Sequence, residues 1–204
     1  MSVEELTFPE YAVNPSGGDV LVDNLNLHYD KGDMAWILCA TLFCWQITPV
    51  HLFEISLTQA IGFLYAGMTR RKAAAVMLLQ SLFCASVVGI QFWIYGFSMI
   101  MSHSDSVIIG NLDLAFLRNT LGYASQANAA IPDILLAAFH FTFVTATAMI
   151  LAGAMLERGR LFPSMLFILC WTTFVYCFLA YWEWNPNGWL YNLGVYDFAG
   201  SGVL

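Results

Sequence analysis

Charge is what this sequence has least of. Only 10% of its 204 residues are Asp, Glu, Lys or Arg, where a soluble domain carries about a quarter. Lys and Arg number 7 against 14 acids, and the net charge of −7 excludes a basic face for nucleic acid. The cysteines (Cys39, Cys44, Cys84, Cys170, Cys177) form no CxxC pair and lie in apolar runs, as small packing residues do. No two histidines stand four apart, so the paired-ligand spacing of a membrane metalloenzyme is missing. Nothing in the pattern asks for a cofactor or an enzymatic reaction. Residues 1–30 also lack a basic start followed by an apolar core, so the first apolar span is expected to serve as its own insertion signal.

Hydrophobic residues make up 59% of the chain, more than one water-soluble core can hide. A bilayer core about 30 Å thick takes about 20 apolar residues per helix. The stretches Asp33–Met68, Ala73–Met101, Pro132–Leu156 and Phe162–Trp184 qualify, the first with a polar interruption. A further apolar start appears at Phe198. The expected fold is all-α: a polytopic transmembrane protein of about four complete spans plus the start of a fifth.

Orientation follows from the few cations. Arg70, Arg71 and Lys72 lie between the first two spans, and Arg158 and Arg160 between the third and fourth. Positive charge stays inside, so both turns are expected in the cytoplasm. The N-terminus, residues 102–131 and residues 185–197 then face outward, as do Glu4, Glu5, Glu10, Asp19, Asp23, Asp30 and Asp33. Residues 1–32 read as an acidic extracellular segment and 33–204 as the membrane region.

Polar groups at membrane depth are costly and therefore informative. His140 lies in the third span among Phe139, Phe141 and Phe143; it is either bonded to a neighbouring helix or lines a narrow pore. Tyr181, Trp182, Trp184, Trp189 and Tyr191 cluster at the outer end of the fourth span. They suit an interfacial belt or a cation–π platform. Asp197 stands where a carboxylate accepts free amides at a helix start, or favours a nearby cation. Glu157 and Arg158 mark the end of the third span. His28 and His103 fall in outer segments.

Several segments together resemble the ammonium transporter family (Amt/Mep, related to Rh proteins). They are Gly32-Asp33-Met34-Ala35-Trp36, then Gly62-Phe63-Leu64-Tyr65-Ala66-Gly67-Met68 with Arg70-Arg71-Lys72. Ile109-Gly110-Asn111-Leu112-Asp113 and Ala152-Gly153-Ala154-Met155-Leu156-Glu157-Arg158 follow. Ala180-Tyr181-Trp182-Glu183-Trp184 and Asp197-Phe198-Ala199-Gly200 complete the set. The style is that of the eukaryotic microbial permeases.

The resemblance implies two inverted halves, of which this chain corresponds to the first, and assembly as a homotrimer with one pore per subunit. It implies ammonium, with methylammonium as a further substrate, and the plasma membrane as location. Trp184 matches the outer-vestibule tryptophan that recruits ammonium, and Asp197 the aspartate near it. Phe143 matches the aromatic gate, with Phe139 one turn earlier on the same face. His140 stands where the family often has glutamine or another polar residue. The family's paired pore histidines fall beyond Leu204, so residues 1–204 are expected to transport little alone. The alternative is a non-transporting regulatory subunit or sensor associated with full-length relatives.

The first span departs from the family. Val50 to Gln59 separate Thr48-Pro49 from Ile61-Gly62-Phe63, and include His51 and Glu54. Burying those two unpaired costs roughly several kcal/mol. An insert of about ten residues turns a helix about 1000°, not a whole number of turns. A bulge, a broken helix or a displaced loop is expected at 50–59.

Overall fold

The computed structural model describes residues 29–47, 60–68, 74–102, 104, 106–118, 120, 124–127, 130–155, 160–198 and 200–203. Helices dominate these residues. They are α1 (Lys31–Ile47), α2 (Ala60–Met68), α3 (Ala74–Gln91), α4 (Phe97–Met101), α5 (Asp133–Ala154), α6 (Leu161–Trp171), α7 (Cys177–Trp184) and α8 (Trp189–Asn192). A π turn, Phe92–Gly96, joins α3 to α4 without a break, and a second, Thr172–Tyr176, joins α6 to α7. Three helical stretches are long and apolar enough to cross a bilayer: Ala74–Met101, Asp133–Ala154, and the one that begins at Leu161.

The expected first span takes the form of two helices. α1 has 17 residues and α2 has 9, or about 25 Å and 14 Å at 1.5 Å per residue. The sequence between them, with the bulge or displaced loop expected at 50–59, lies outside the described residues. So do residues 1–28, Arg70, Arg71, Lys72, His103, Glu157 and Arg158. Phe198 and Gly200–Val203 form turns rather than helix.

Helix α5 sits at the centre, packed against α3, α1 and α2. Its buried positions run almost all round the helix, as expected of one surrounded by protein. On α3 the buried residues Met77, Gln80, Ser81, Cys84, Ala85, Val88 and Gly89 recur at alternating steps of three and one, which is one helical face. Its other face exposes Val76, Leu79, Phe83 and Ile90. An apolar exposed face is a liability in water and no cost in lipid. Gly153 of α5 makes room for α2: a Cβ there would strike the Tyr65 ring.

The α6–α7 stretch buries Ser164, Ile168, Thr172, Tyr176 and Ala180, one every fourth residue. In a plain α-helix such a stripe drifts about 40° per step. The π turn, with its wider i→i+5 bonding, counters the drift and keeps the stripe facing the bundle. At this level Gln91 bridges the two long helices. Its Nε2 donates to Thr173 Oγ1 at 2.6 Å, and its Oε1 accepts from the Thr172 hydroxyl. Tyr95 shares a hydrogen bond with the same Thr173 oxygen at 2.9 Å.

One end of the bundle is tied together by side chains from the end of α7. Asn185, fully buried, donates from Nδ2 to the Ile100 carbonyl at 2.9 Å and to that of Ser102 at 3.4 Å. These are carbonyls that the end of α4 leaves without helical partners. Asn187 Nδ2 donates to Ser104 O at 2.9 Å, Trp182 Nε1 to Ile108 O at 2.6 Å, and the Tyr181 hydroxyl to Ser106 O. The start of α1 belongs to the same end, because Asp30 N–H donates to Ala130 O at 3.0 Å.

Candidate functional site

The pins at the end of α7 place its last residue, Trp184, against the middle helix. Phe139 and Phe143 stand one turn apart on α5, so their rings lie on one face; their centroids are 5.0 Å apart, edge to face. His140 is buried, 7% exposed, and its ring lies 5.0 Å from the Trp184 ring at 63°. Phe143 meets the same indole at 5.7 Å and 80°. Trp184 is thus the hub of an aromatic cluster.

Asp197 closes the cluster from the following segment. Its Oδ1 accepts from Ser201 N–H at 3.1 Å, and its Oδ2 from Gly202 N–H at 3.1 Å. The Trp184 indole N–H reaches Oδ2 at 3.4 Å. The carboxylate therefore gathers backbone amides, as its sequence position suggested, and also touches the tryptophan. The turn it organises lies on Phe143. Gly200 has φ +69°, and a Cβ there would come within 2.9 Å of Phe143 Cε1. Only glycine meets both conditions without strain.

All five predicted positions, Phe139, His140, Phe143, Trp184 and Asp197, meet in one place. The other aromatics near the end of α7 form a separate group. Trp182 packs edge-on against Trp189 at 5.6 Å and Phe178 at 6.3 Å, and Tyr181 is buried. The aromatic run is therefore split into two groups, one around Trp184 and one around Trp182.

Sequence reasoning passed over several neighbours. Tyr176 is fully buried with its ring 6.4 Å from that of Trp184, and its hydroxyl has no hydrogen-bond partner. Its place two turns before Trp184 was the available signal. The Glu183 carboxylate lies over Gly202, so close that a Cβ there would collide with it. His140 Nδ1 is also buried without a partner. The described residues hold no group of three His, Cys, Asp or Glu side chains able to bind a metal ion. What the cluster offers is electron-rich aromatic surface, one carboxylate and one imidazole. Such a set suits a small cation more than an anion or an apolar ligand.

Comparison with known proteins agrees with this chemistry. The sequence profile of the Ammonium Transporter Family matches residues 45–204. Ammonium transporter 1 of Schizosaccharomyces pombe is 41% identical over 186 residues, covering 91% of this chain and 35% of the relative. Ammonium transporter MEP2 of Saccharomyces cerevisiae is 37% identical over 188 residues, covering 91% of this chain and 36% of the relative. The crystal structure of Candida albicans Mep2 superimposes with a TM-score of 0.80 at 39% identity, over 92% of this chain and 39% of that one. The chain thus spans a little over a third of the length of these relatives. It is a helical membrane protein and belongs to the Ammonium Transporter Family.

Proposed function

We propose that this chain forms the N-terminal part of an ammonium transporter and carries the outer cation site of its pore. The observation that carries this is the convergence of Trp184, Phe143, His140 and Asp197 on one spot in a chain of this family. Ammonium must shed water to enter an apolar passage, and unpaired burial of a charge is costly. Aromatic faces and hydrogen-bond acceptors replace part of that hydration, each contact of this kind contributing about 0.5–2 kcal/mol. Trp184 is the principal recruiting surface. Phe143 and Phe139 close the path beneath it, and Asp197 holds the indole and the following turn in register.

In this proposal residues 1–32 form an acidic segment outside the cell, 33–204 the membrane region, and 50–59 an insertion. The location is the plasma membrane with the N-terminus outside, the assembly a homotrimer, and methylammonium a second substrate. Residues 1–204 alone carry no uptake, because the relatives spend roughly twice as much further chain on the rest of the protein.

A chimera tests this. The chain supplies the first part of S. pombe ammonium transporter 1 and is expressed in cells lacking ammonium transporters. Uptake is expected, and Trp184→Leu should raise the half-saturating ammonium concentration about 2- to 30-fold, the equivalent of one cation–π contact. Unchanged kinetics would remove Trp184 from the site. Co-purification of residues 1–204 with a full-length transporter, without uptake of its own, would mark a regulatory subunit instead.

A further inference from the structure

His140 Nδ1, like the Tyr176 hydroxyl, is a polar atom of the cluster that the fold leaves without a partner, and its ring lies nearer Trp184, at 5.0 Å against 6.4 Å. Asp197 is largely committed, since two backbone amides and the Trp184 indole already donate to its oxygens. The threonines nearby on α5 are also satisfied. Thr142 donates to Phe139 O at 2.6 Å and Thr145 to Phe141 O at 2.8 Å. His140 Nδ1 has no partner although the side chain is more than nine-tenths buried. Leaving a buried polar atom unpaired is destabilising, so such atoms commonly mark a missing ligand or a functional demand. The ring is held in place by Trp184 on one side and Phe139 at 6.2 Å on the other. It does not swing away to find a bond elsewhere.

We propose that the His140 imidazole is the hydrogen-bond acceptor that makes this site prefer ammonium over alkali cations; the inference rests on the cation site proposed above. A neutral imidazole carries one N–H and one free nitrogen lone pair. An ammonium ion on Trp184 has four N–H donors and places one on that lone pair. A potassium ion has the same charge and also interacts with aromatic faces, but has no proton to donate. It takes oxygen ligands, and imidazole nitrogen suits softer metals. Cation–π attraction by itself reads charge and size, so the acceptor is what separates the two ions. His140 is then a specificity residue at the first binding step, upstream of any discrimination deeper in the pore.

The test uses the whole 204-residue chain in lipid nanodiscs, titrated calorimetrically with ammonium chloride and, separately, potassium chloride at matched ionic strength. The unmutated chain should bind ammonium more tightly. His140→Leu should weaken ammonium binding about tenfold or more, the equivalent of one charge-assisted hydrogen bond, and leave potassium within about threefold. His140→Gln, which restores an acceptor in a different shape, should retain ammonium affinity within about threefold of the original. The proposal is overturned if His140→Leu weakens both ions alike, since that marks packing against Trp184. It is equally overturned if ammonium binding does not change, or if His140→Gln loses as much as His140→Leu. Absence of ammonium binding to the unmutated chain would instead bring down the cation-site proposal, and this one with it.

Discussion

At the scale of single residues, the site depends on a glycine as much as on its aromatics. Gly200 is in the left-handed region at φ +69° and is pressed against Phe143. Gly194, at φ +78°, has nothing within 4 Å of where a Cβ would stand. Both alanine substitutions incur the left-handed backbone cost of about 1–2 kcal/mol. Gly200→Ala must in addition push the Phe143 ring, which is held between Phe139 and Trp184. Gly200→Ala should therefore destabilise the chain more than Gly194→Ala, by about 1 kcal/mol in a detergent melt. It should also weaken ammonium binding, while Gly194→Ala leaves it unchanged. Equal effects would mean that the turn does not bear on the Phe143 ring. In the sequence Gly200 was legible as part of Asp197-Phe198-Ala199-Gly200. Its dependence on Phe143 was not, because that contact spans 57 residues of chain and leaves no local pattern.

At the scale of elements, the long apolar runs were readable and the bonds between them were not. The expected spans Ala73–Met101, Pro132–Leu156 and Phe162–Trp184 coincide with helices to within about two residues at each end. Lipid demands length and hydrophobicity, and both are local properties. The two π turns were not foreseen, nor was the Gln91 bridge between them. Its partners Thr172 and Thr173 are 81 and 82 residues away, though a glutamine inside a span was itself a signal. How much the bridge contributes depends on what its loss strands. Both threonine hydroxyls also reach carbonyls of their own helix, Ile168 and Leu169, at 2.8 Å, so neither is orphaned. Gln91→Leu should then cost only about 0.6–1.7 kcal/mol, the range of interhelical hydrogen bonds in membranes. Thermal unfolding of the full chain in detergent checks this. A loss of several kcal/mol would show that the π turns depend on the glutamine for their shape. The first span was legible as interrupted, and α1 and α2 stand on either side of the interruption, but which form the interruption takes was not, because an insert at 50–59 carries no periodic pattern of its own.

At the scale of the whole molecule, topology is the property on which the site's orientation depends. The start of α1, the 104–131 segment and the end of α7 are bonded to one another through Asp30–Ala130, Asn187–Ser104 and Trp182–Ile108. They share one end of the bundle, as the alternation of spans requires. The proposal that this end faces outward rests on charge. Five of the 7 Lys and Arg residues (Arg70, Arg71, Lys72, Arg158 and Arg160) lie in the two turns assigned to the opposite end. Retention of such short basic turns in the cytoplasm outweighs the acids, which contribute little to orientation. In the proposed orientation the Trp184 cluster opens outward, the side from which ammonium would reach it. Single cysteines at Ser106, Asn187 and Arg71, in a chain whose native cysteines are replaced, decide the matter in intact cells. A membrane-impermeant maleimide should label positions 106 and 187 directly, and position 71 only after permeabilisation. Labelling of 71 together with 187 on the same face would break the span count. Labelling of 71 alone would invert the protein and turn the proposed recruiting site toward the cytoplasm.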